Sequence, residues 1–309
     1  MKFRTTYCII ETNCIGDDTL KIYDISARPD DSFPFAAEYG VLEGDFLEHT
    51  HTYTELIVIL GGSGQHISDY GSFSMKPGTV LTVPPPIVHE MRNMKSLSLY
   101  VLKFDLTQLI AYDYDLKNDP GFRSLFVQCP VTSQAMGNIT PLVLEAKQLD
   151  HVVRLMEIIF QEFQERKSGY KVMIRTHLLA LTAYLSRCFL PEQNALSVQM
   201  QKILPTISYM EDHLNQSIRM KELADLVFLS TRQYDRIFKE VYGVCPSDYL
   251  SELRLNRACQ LIASGKYPLG QLWELCGFTD TPFFYRKFKA RFGMTPKQYQ
   301  TKLLSSMHD

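Results

Sequence analysis

Apolar residues between positions 44 and 104 occur in short β-rich runs that turn signals separate. The run 56–60 is followed by the glycine-rich stretch 61–64, and a Lys-Pro-Gly turn signal stands at 76–78. Several short runs of this kind, bounded by glycine and proline, are typical of a β-sandwich or barrel. The pattern therefore predicts an all-β barrel, with chain reversals at 61–64 and at 76–78.

Beyond residue 149 the apolar residues recur at gaps of three and four, which is the period of an amphipathic helix. A polar break at 167–169 divides this part into two runs, and the second ends near residue 189. The spacing predicts a helical hairpin over about 149–190, within an N-terminal domain of residues 1–190. Its apolar stripe could cover the barrel or form a dimer interface, and the pattern fits both uses.

A polar stretch with a proline, residues 191–198, predicts a linker to the rest of the chain. Residues 199–309 then contain one pattern twice. The pattern Phe-Lys-x-x-x-Gly-x-x-Pro-x-x-Tyr begins at Phe238 and recurs at Phe288. Such a repeat indicates that one structural unit occurs twice in an all-α C-terminal domain.

Each copy of the repeat carries the signals of a helix-turn-helix unit. In the first, about 220–242, Ser230 is a natural N-cap for the second helix, and in the second, about 268–292, Asp280 has that place. The segment 246–263 is predicted to be one connecting helix, ~27 Å long. Because successive major grooves on one face of DNA are ~34 Å apart, one chain could reach two of them.

The composition fits two folded domains, and the uneven distribution of charge indicates that they bind different partners. The chain has 309 residues, 45% hydrophobic and 21% charged, which is usual for about two folded domains. Residues 199–309 hold 15 Lys and Arg against 11 Asp and Glu, which is +4; this leaves 17 against 23, which is −6, for residues 1–198. A polyanion is therefore expected to bind the C-terminal domain only.

The cysteines and the N-terminus bear on the compartment. The seven cysteines are scattered and never spaced as Cys-x-x-Cys, so we expect reduced thiols and neither a disulfide framework nor a zinc site. The N-terminus lacks the apolar core of a signal peptide, and no stretch approaches the ~18 apolar residues of a membrane span. These features predict a cytoplasmic protein that does not enter membranes.

Glycine, aromatic and small residues stand at fixed places along the doubled unit. They include Leu223-Ala224, Ser230, Phe238-Lys239, Gly243, Pro246, Tyr249, Arg254-Leu255, Gly277-Phe278, Asp280, Phe284, Phe288-Lys289, Gly293 and Pro296. From about position 207 to 299 the chain thereby resembles the DNA-binding module of AraC-type bacterial transcription regulators. The resemblance implies double-stranded DNA and RNA polymerase as partners, a homodimer, and activation of transcription.

DNA contacts must come from exposed polar residues of the two predicted recognition helices. Because Arg and Gln can pair bidentately with guanine and adenine edges, Arg232, Gln233 and Arg236 are the candidates for base readout. Arg286 and Lys289 in the second helix suit phosphates. Each basic residue could equally belong to a solvated helix face. The whole candidate set is Ser230, Thr231, Arg232, Gln233, Arg236, Lys239, Thr281, Phe283, Tyr285, Arg286 and Lys289.

The second unit departs from the AraC-type pattern at one position. Trp273, the only tryptophan, stands in line with Ala224 of the first unit, where a small residue is usual. A bulky ring there must displace the two helices or lie across a surface. Pro268 is expected to open the helix that carries it, and base readout is expected to be stronger at the first unit.

Histidines and one glutamate form a second constellation, in the β-domain. The pattern His49-x-His51-x-x-x-Glu55, with His89 after the prolines, resembles the two motifs of a cupin. Residues 49, 51 and 55 share parity on a strand and so project to one face. The three imidazoles and the carboxylate could bind zinc, iron, nickel or manganese.

The same side chains could instead hydrogen-bond the hydroxyl groups of a sugar, with His66 among the contacts and no cofactor required. Both uses, a ligand site and a divalent metal site of His49, His51, Glu55 and His89, stay open. Within the AraC-type family, the stretch 46–66 is most similar to rhamnose-type regulators. That similarity implies a carbohydrate such as rhamnose as the small-molecule effector.

These features predict a cupin-like sensor joined to a double helix-turn-helix domain. The predicted function is ligand-responsive, sequence-specific regulation of carbohydrate-utilisation genes, without enzymatic activity. One alternative is a metal-dependent cupin enzyme with a DNA-binding tail, which predicts bound metal and turnover. Another is a ligand-independent architectural DNA binder, for which a charge of +4 is small.

Overall fold

The computed structural model describes residues 21–23, 33–68, 71–85, 87–106, 116, 119–128, 141–189 and 195–306. They form two compact units, one drawn from the part of the chain up to residue 190 and the other mainly from residues 191–309. The first is a cupin-like antiparallel β-domain with a helical hairpin, and the second is helical. The predicted fold class is confirmed.

The β-domain is built on three long neighbouring strands. Its strands are β2 (Phe35–His51), β3 (Thr54–Ser68), β4 (Gly71–Met75), β5 (Thr79–Val83), β6 (His89–Phe104) and β7 (Leu142–Val143), whereas the short β1 (Lys21–Tyr23) is grouped with the second unit. β6 lies between β2 and β3, β5 and then β7 follow on the far side of β3, and β4 also pairs with β3. All these pairings are antiparallel. Register shifts interrupt the two long pairings, β2 with β6 and β3 with β6.

Both faces of the sheet are buried, because residues of alternate parity point to opposite sides. Leu56, Val58 and Leu102 enter a core that the sheet shares with the helical hairpin. Ile57 and Leu81 enter a second core on the other face. Two buried faces explain why these runs are apolar throughout.

The chain reversal predicted at 61–64 is wrong. β3 continues through these glycines, which lie where its pairing with β6 shifts register. Gly62 has a φ of 76°, and a Cβ at this position would lie 2.2 Å from the carbonyl oxygen of Ser96. Glycine is thus required for a bulge and not for a turn. The turn predicted at 76–78 is present between β4 and β5.

The predicted helical hairpin consists of Ala146–Glu165 and Tyr170–Cys188. A shorter helix, Pro120–Phe122, precedes it and continues as a π-helical turn, Arg123–Gln128. The apolar stripe of the hairpin, which includes Val152, lies in one core with the sheet residues. The stripe therefore covers the β-domain, so a dimer contact of the hairpin would need another face.

The second unit contains seven α-helices in the described part of the chain. They are Ala195–Asp212, Met220–Leu226, Thr231–Tyr242, Pro246–Ser264, Leu272–Leu275, Thr281–Phe292 and Pro296–Ser306. The first begins inside the stretch predicted as a linker, since its first residues already have helical geometry. Residues 191–194 lie outside the described residues.

Both helix-turn-helix units are present, and their recognition helices begin at the predicted caps. The Ser230 side chain accepts a hydrogen bond from the backbone N–H of Gln233, and the Asp280 side chain accepts one from Phe283. The helix expected to open at Pro268 is shorter than predicted. It begins as a 3-10 turn with Gly270 in it, a residue that disfavours regular helix, and only four residues are α-helical.

The first helix of each unit ends in the same backbone motif, in which a left-handed residue follows the helix. In the second unit this residue is Gly277, with a φ of 79°, and in the first it is Phe228, with a φ of 55°. Only glycine adopts this conformation without strain. Phe228 is 95% exposed, so packing of its ring does not offset the strain.

Replacing Phe228 with glycine is expected to stabilise the chain. The left-handed backbone costs ~1–2 kcal/mol for an L-residue, and the added entropy of unfolded glycine offsets roughly 0.5–1 kcal/mol of that relief. Chemical denaturation should show a gain of roughly 0.5–1 kcal/mol. Phe228→Ala is the matched control, since it removes the exposed ring and keeps the strained Cβ. An equal gain in both variants would assign the effect to the ring.

Four cysteines lie in the described parts of the chain, and each is a free thiol: Cys188, Cys245, Cys259 and Cys276. Cys8, Cys14 and Cys129 lie outside the described residues. Within the described helices, none combines the length and apolar character that crossing a membrane requires.

Candidate functional site

The first recognition helix, Thr231–Tyr242, begins with a complete capping box. The backbone N–H and the hydroxyl of Ser230 both donate to Oε1 of Gln233, at 3.2 and 2.9 Å. The carbonyl end of Gln233 is thereby used within the cap, which leaves its Nε2 for DNA. Bidentate pairing of Gln233 with adenine, as predicted, would require the cap to open.

The remaining candidates on this helix are exposed. Thr231 and Arg232 lie in its first turn, which is the part of a recognition helix that faces the base edges. Arg236 pairs with Glu240 at 2.7 Å, with both side chains well exposed. An exposed pair of this kind contributes under ~1 kcal/mol, so Arg236 can exchange Glu240 for DNA. Lys239 is exposed in the last turn.

The second recognition helix, Thr281–Phe292, presents fewer polar groups. Its spacing predicts that Thr281, Phe283 and Tyr285 face outward, but all three are only half-exposed. Phe283 and Tyr285 pack against the core of this unit, because that core is rich in aromatic rings that extend to the surface. The guanidinium of Arg286 lies 5.3 Å from the Phe283 ring centroid.

Arg286 and Lys289 are the exposed basic candidates on the second helix. Their contacts with DNA phosphates stay a prediction. Trp273 is half-buried against the same core. Its ring therefore lies across the edge of the core, which is one of the two outcomes expected for a bulky residue there.

The connecting helix, Pro246–Ser264, fixes the two units relative to each other. It has 19 residues, or ~28 Å at 1.5 Å per residue. Arg291 on the second recognition helix pairs with Glu252 at 3.1 Å, and Lys287 pairs with Asp248 at 3.5 Å. These contacts bind the second recognition helix to the connecting helix and so help to set the spacing of the two reading surfaces.

The β-domain brings all five predicted ligand-site residues together. His49, His51, Glu55, His66 and His89 are each at least nine-tenths buried. The His49 and His89 ring centroids are 4.2 Å apart, and those of His66 and His89 are 5.3 Å apart. Glu55 does not share a strand with the first two histidines, as the parity argument assumed, because β2 ends at His51 and Glu55 lies near the start of β3.

Backbone carbonyls orient two of these imidazoles. Nδ1 of His49 lies 2.9 Å from the carbonyl oxygen of Leu47, and Nδ1 of His51 lies 2.6 Å from that of Tyr53. A carbonyl only accepts, so each Nδ1 carries the hydrogen. The Nε2 atom of each ring then carries a lone pair.

Burial controls the charge of the cluster. It lowers the pKa of His49 to about 4 and that of His51 to about 3, with the neighbouring His49 adding to the effect at His51. It also lowers the pKa of His66 to about 4 and places that of His89 well below its usual value. Burial raises the pKa of Glu55 to about 7. The imidazoles are therefore neutral at neutral pH.

Acid is expected to destabilise the metal-free β-domain. In the unfolded chain these histidines bind protons near pH 6.5, but in the folded chain only near pH 4 or below. The unfolded state thus gains protons, and stability falls, as the pH drops from about 6.5 to about 4.

Glu55 acts in the opposite direction, since the folded state holds its proton up to about pH 7, but it is one group against four histidines. Thermal unfolding of chelator-treated protein should therefore show a melting temperature that falls between about pH 6.5 and pH 5. A melting temperature that stays constant or rises over this range would contradict the assigned burial.

Comparisons with known proteins match both units. The family model "AraC-like ligand binding domain" matches residues 37–181, and "Helix-turn-helix domain" matches residues 223–302. The probable transcriptional regulator LumQ of Photobacterium leiognathi is 39% identical over 93 residues, which are 30% of this chain and 38% of that protein. The chain thus spans well under half the length of this relative.

Two further similarities extend over most of the chain. The HTH-type transcriptional activator RhaS of Escherichia coli is 22% identical over 286 residues, covering 89% of this chain and 95% of that protein. A structure of fatty acid-bound ToxT from Vibrio cholerae is 14% identical, with a TM-score of 0.45, and covers 90% of this chain and 99% of that one. LumQ and RhaS are both named as regulators of transcription.

A cupin-like ligand-binding domain followed by two helix-turn-helix units defines a class of two-domain regulators. With matches of both domains in this order, and similarity to RhaS along nearly the whole chain, the chain belongs to the AraC-type family of transcription regulators.

Proposed function

We propose that the chain is a ligand-responsive regulator of transcription that reads two successive major grooves of double-stranded DNA. The observation that carries this proposal is the pair of capped recognition helices on one connecting helix of ~28 Å. Arg232 in the first turn of the first helix supplies a base-reading side chain. Arg286 and Lys289 of the second helix hold the DNA backbone. DNA binding also implies action in the cytoplasm.

The effector is proposed to be a small molecule bound in the β-domain, a carbohydrate such as rhamnose. Support comes from the similarity to RhaS over 89% of this chain. An effector can change DNA occupancy only by binding one arrangement of the protein better than another. The same relative, which is named an activator, supports activation through RNA polymerase.

A homodimer is part of this proposal. Val172 is 64% exposed, and Met173 and Ile158 are also exposed on the hairpin. These side chains lie outside the stripe that covers the sheet, so they offer apolar area to a second copy.

Thermal shift against a panel of sugars, followed by DNA titration with the best of them, tests the proposal. A ligand at 100 times its dissociation constant adds ~2.7 kcal/mol of stability to the state it binds. We then expect roughly a 5- to 150-fold change in DNA affinity. Binding that does not distinguish one DNA sequence from another would favour an architectural binder. Sequence-specific binding that no ligand changes would refute the sensor role alone.

A further inference from the structure

We propose that the buried histidine cluster is a divalent metal-ion site, in which His49, His51, Glu55 and His89 bind the ion and His66 positions His89. The inference rests on the proposed function only in placing the ion inside the ligand-sensing domain. The residue types alone leave open a ligand site and a metal site, and the proposal selects the metal site.

Unpartnered nitrogen atoms are the first observation. Nε2 of His51, Nε2 of His89 and Nδ1 of His66 are buried and have no hydrogen-bond partner in the structure. A buried polar atom without a partner destabilises the folded state. Two of them, the Nε2 atoms of His51 and His89, can offer lone pairs to one ligand, and native proteins rarely leave buried polar groups unsatisfied.

The spacing of the donor atoms fits one ion. Nε2 of His51 and Nε2 of His89 each lie 3.9 Å from Oε2 of Glu55. This is too long for a hydrogen bond, but two donors that share an ion at ~2.1 Å each can lie up to ~4.2 Å apart. Ligand atoms of His49, Glu55 and His89 all lie within 4.8 Å of one another. A small side-chain rotation would bring them onto one ion.

The rings are too close for a sugar to separate them. Centroids of His49 and His89 are 4.2 Å apart, and those of His51 and His89 are 5.2 Å apart. At these distances the rings are nearly in contact, so a six-membered sugar ring does not fit between them, whereas an ion bound by their nitrogen atoms need not separate them. Imidazole and carboxylate together suit zinc, iron, nickel, cobalt or manganese.

His66 acts on the site through His89. Nε2 of His66 lies 3.2 Å from Nδ1 of His89. For Nε2 of His89 to offer a lone pair to an ion, Nδ1 must carry the hydrogen and donate it to His66. Phe73 stacks on the His66 ring at 5.0 Å and holds its plane. His66 is thus a positioning residue, of the kind whose loss weakens metal binding 10- to 100-fold.

The test is direct measurement of metal on the purified full chain, after chelation and dialysis against Zn²⁺ and, separately, Co²⁺. We expect about one ion per chain and a Co²⁺ absorption spectrum of nitrogen and oxygen ligands. His89→Gln should lose the ion. His66→Leu should bind Zn²⁺ roughly 10- to 100-fold more weakly, and His66→Gln, which keeps an acceptor, should recover most of the affinity.

His177→Ala is the matched control, because this histidine is half-exposed on the hairpin, lies outside the cluster, and hydrogen-bonds to the carbonyl of Met173. Metal that remains on His89→Gln, or that is lost equally from His177→Ala, would overturn the site. If His89→Gln does not fold, a wild-type Co²⁺ spectrum without the expected ligands overturns the site.

Equal affinity in His66→Leu and wild type would refute the role of His66. A metal-free protein that binds DNA sequence-specifically would refute this site and leave the DNA-binding function standing.

Discussion

Replacing Gly277 with alanine should destabilise the second helix-turn-helix unit by about 3–5 kcal/mol. Gly277 has a φ of 79°, and a Cβ there would lie 2.0 Å from the carbonyl oxygen of Leu214. That carbonyl cannot easily move, because Nε of Arg254 donates a hydrogen bond to it at 3.0 Å. The same guanidinium is held in place through Nη2, which donates to the backbone carbonyl oxygen of Gln216 at 2.7 Å. The methyl group therefore meets a fixed backbone atom.

Trp273 gives a local readout of this prediction, since it is the only tryptophan and lies in the second unit. Denaturation followed by its fluorescence reports the unfolding of that unit. Gly293→Ala is the matched control, because Gly293 has a φ of 69° with nothing within 4 Å of the added Cβ. It should cost only ~1–2 kcal/mol. Equal losses in the two variants would show that the Leu214 contact is unimportant.

Arg232→Ala should weaken binding to the preferred DNA sequence by about 1–3 kcal/mol, roughly 5- to 150-fold. The physical reason is loss of a bidentate base contact from the first turn of the recognition helix. The loss should vanish on DNA in which the contacted base pair is changed. Titrations of wild type and variant against a set of singly substituted duplexes measure both effects.

Two other variants separate base reading from charge. Lys239→Ala removes an exposed charge from the same helix and should weaken binding equally on all sequences, with a smaller dependence on salt. Arg187→Ala removes an exposed charge from the hairpin and should change nothing. If Arg232→Ala behaved like Lys239→Ala, Arg232 would contact phosphate and not bases.

Local chemistry made much of the helical unit predictable. Ser230 and Asp280 cap the recognition helices where expected, and Gly243 and Gly293 end them in the left-handed conformation. Such signals depend on a few neighbouring residues and need no tertiary information. The half-burial of Phe283 depends instead on the packing of a core, which helical spacing does not describe.

The sequence predicts which residues form the histidine cluster, but it does not predict how the strands bring them together. His66 differs in parity from Glu55, so a regular strand would place the two side chains on opposite faces. Three register shifts between β3 and β6, at the glycine-rich stretch, lie between these residues, and His66 ends up against His89. Bulges re-aim side chains, and the same glycines suggest a turn when read without their partner strand.

Selection from random-sequence DNA duplexes by the purified full chain tests the central claim most directly. Sequencing of the bound fraction should reveal two enriched half-sites with centres about 10 base pairs apart, which is one helical turn. The half-site read by the first unit should carry more sequence information, and Arg232→Ala should lose preference there and not at the other. An absence of enrichment, a single half-site, or an unchanged motif with Arg232→Ala would contradict two unequal recognition helices acting from one chain.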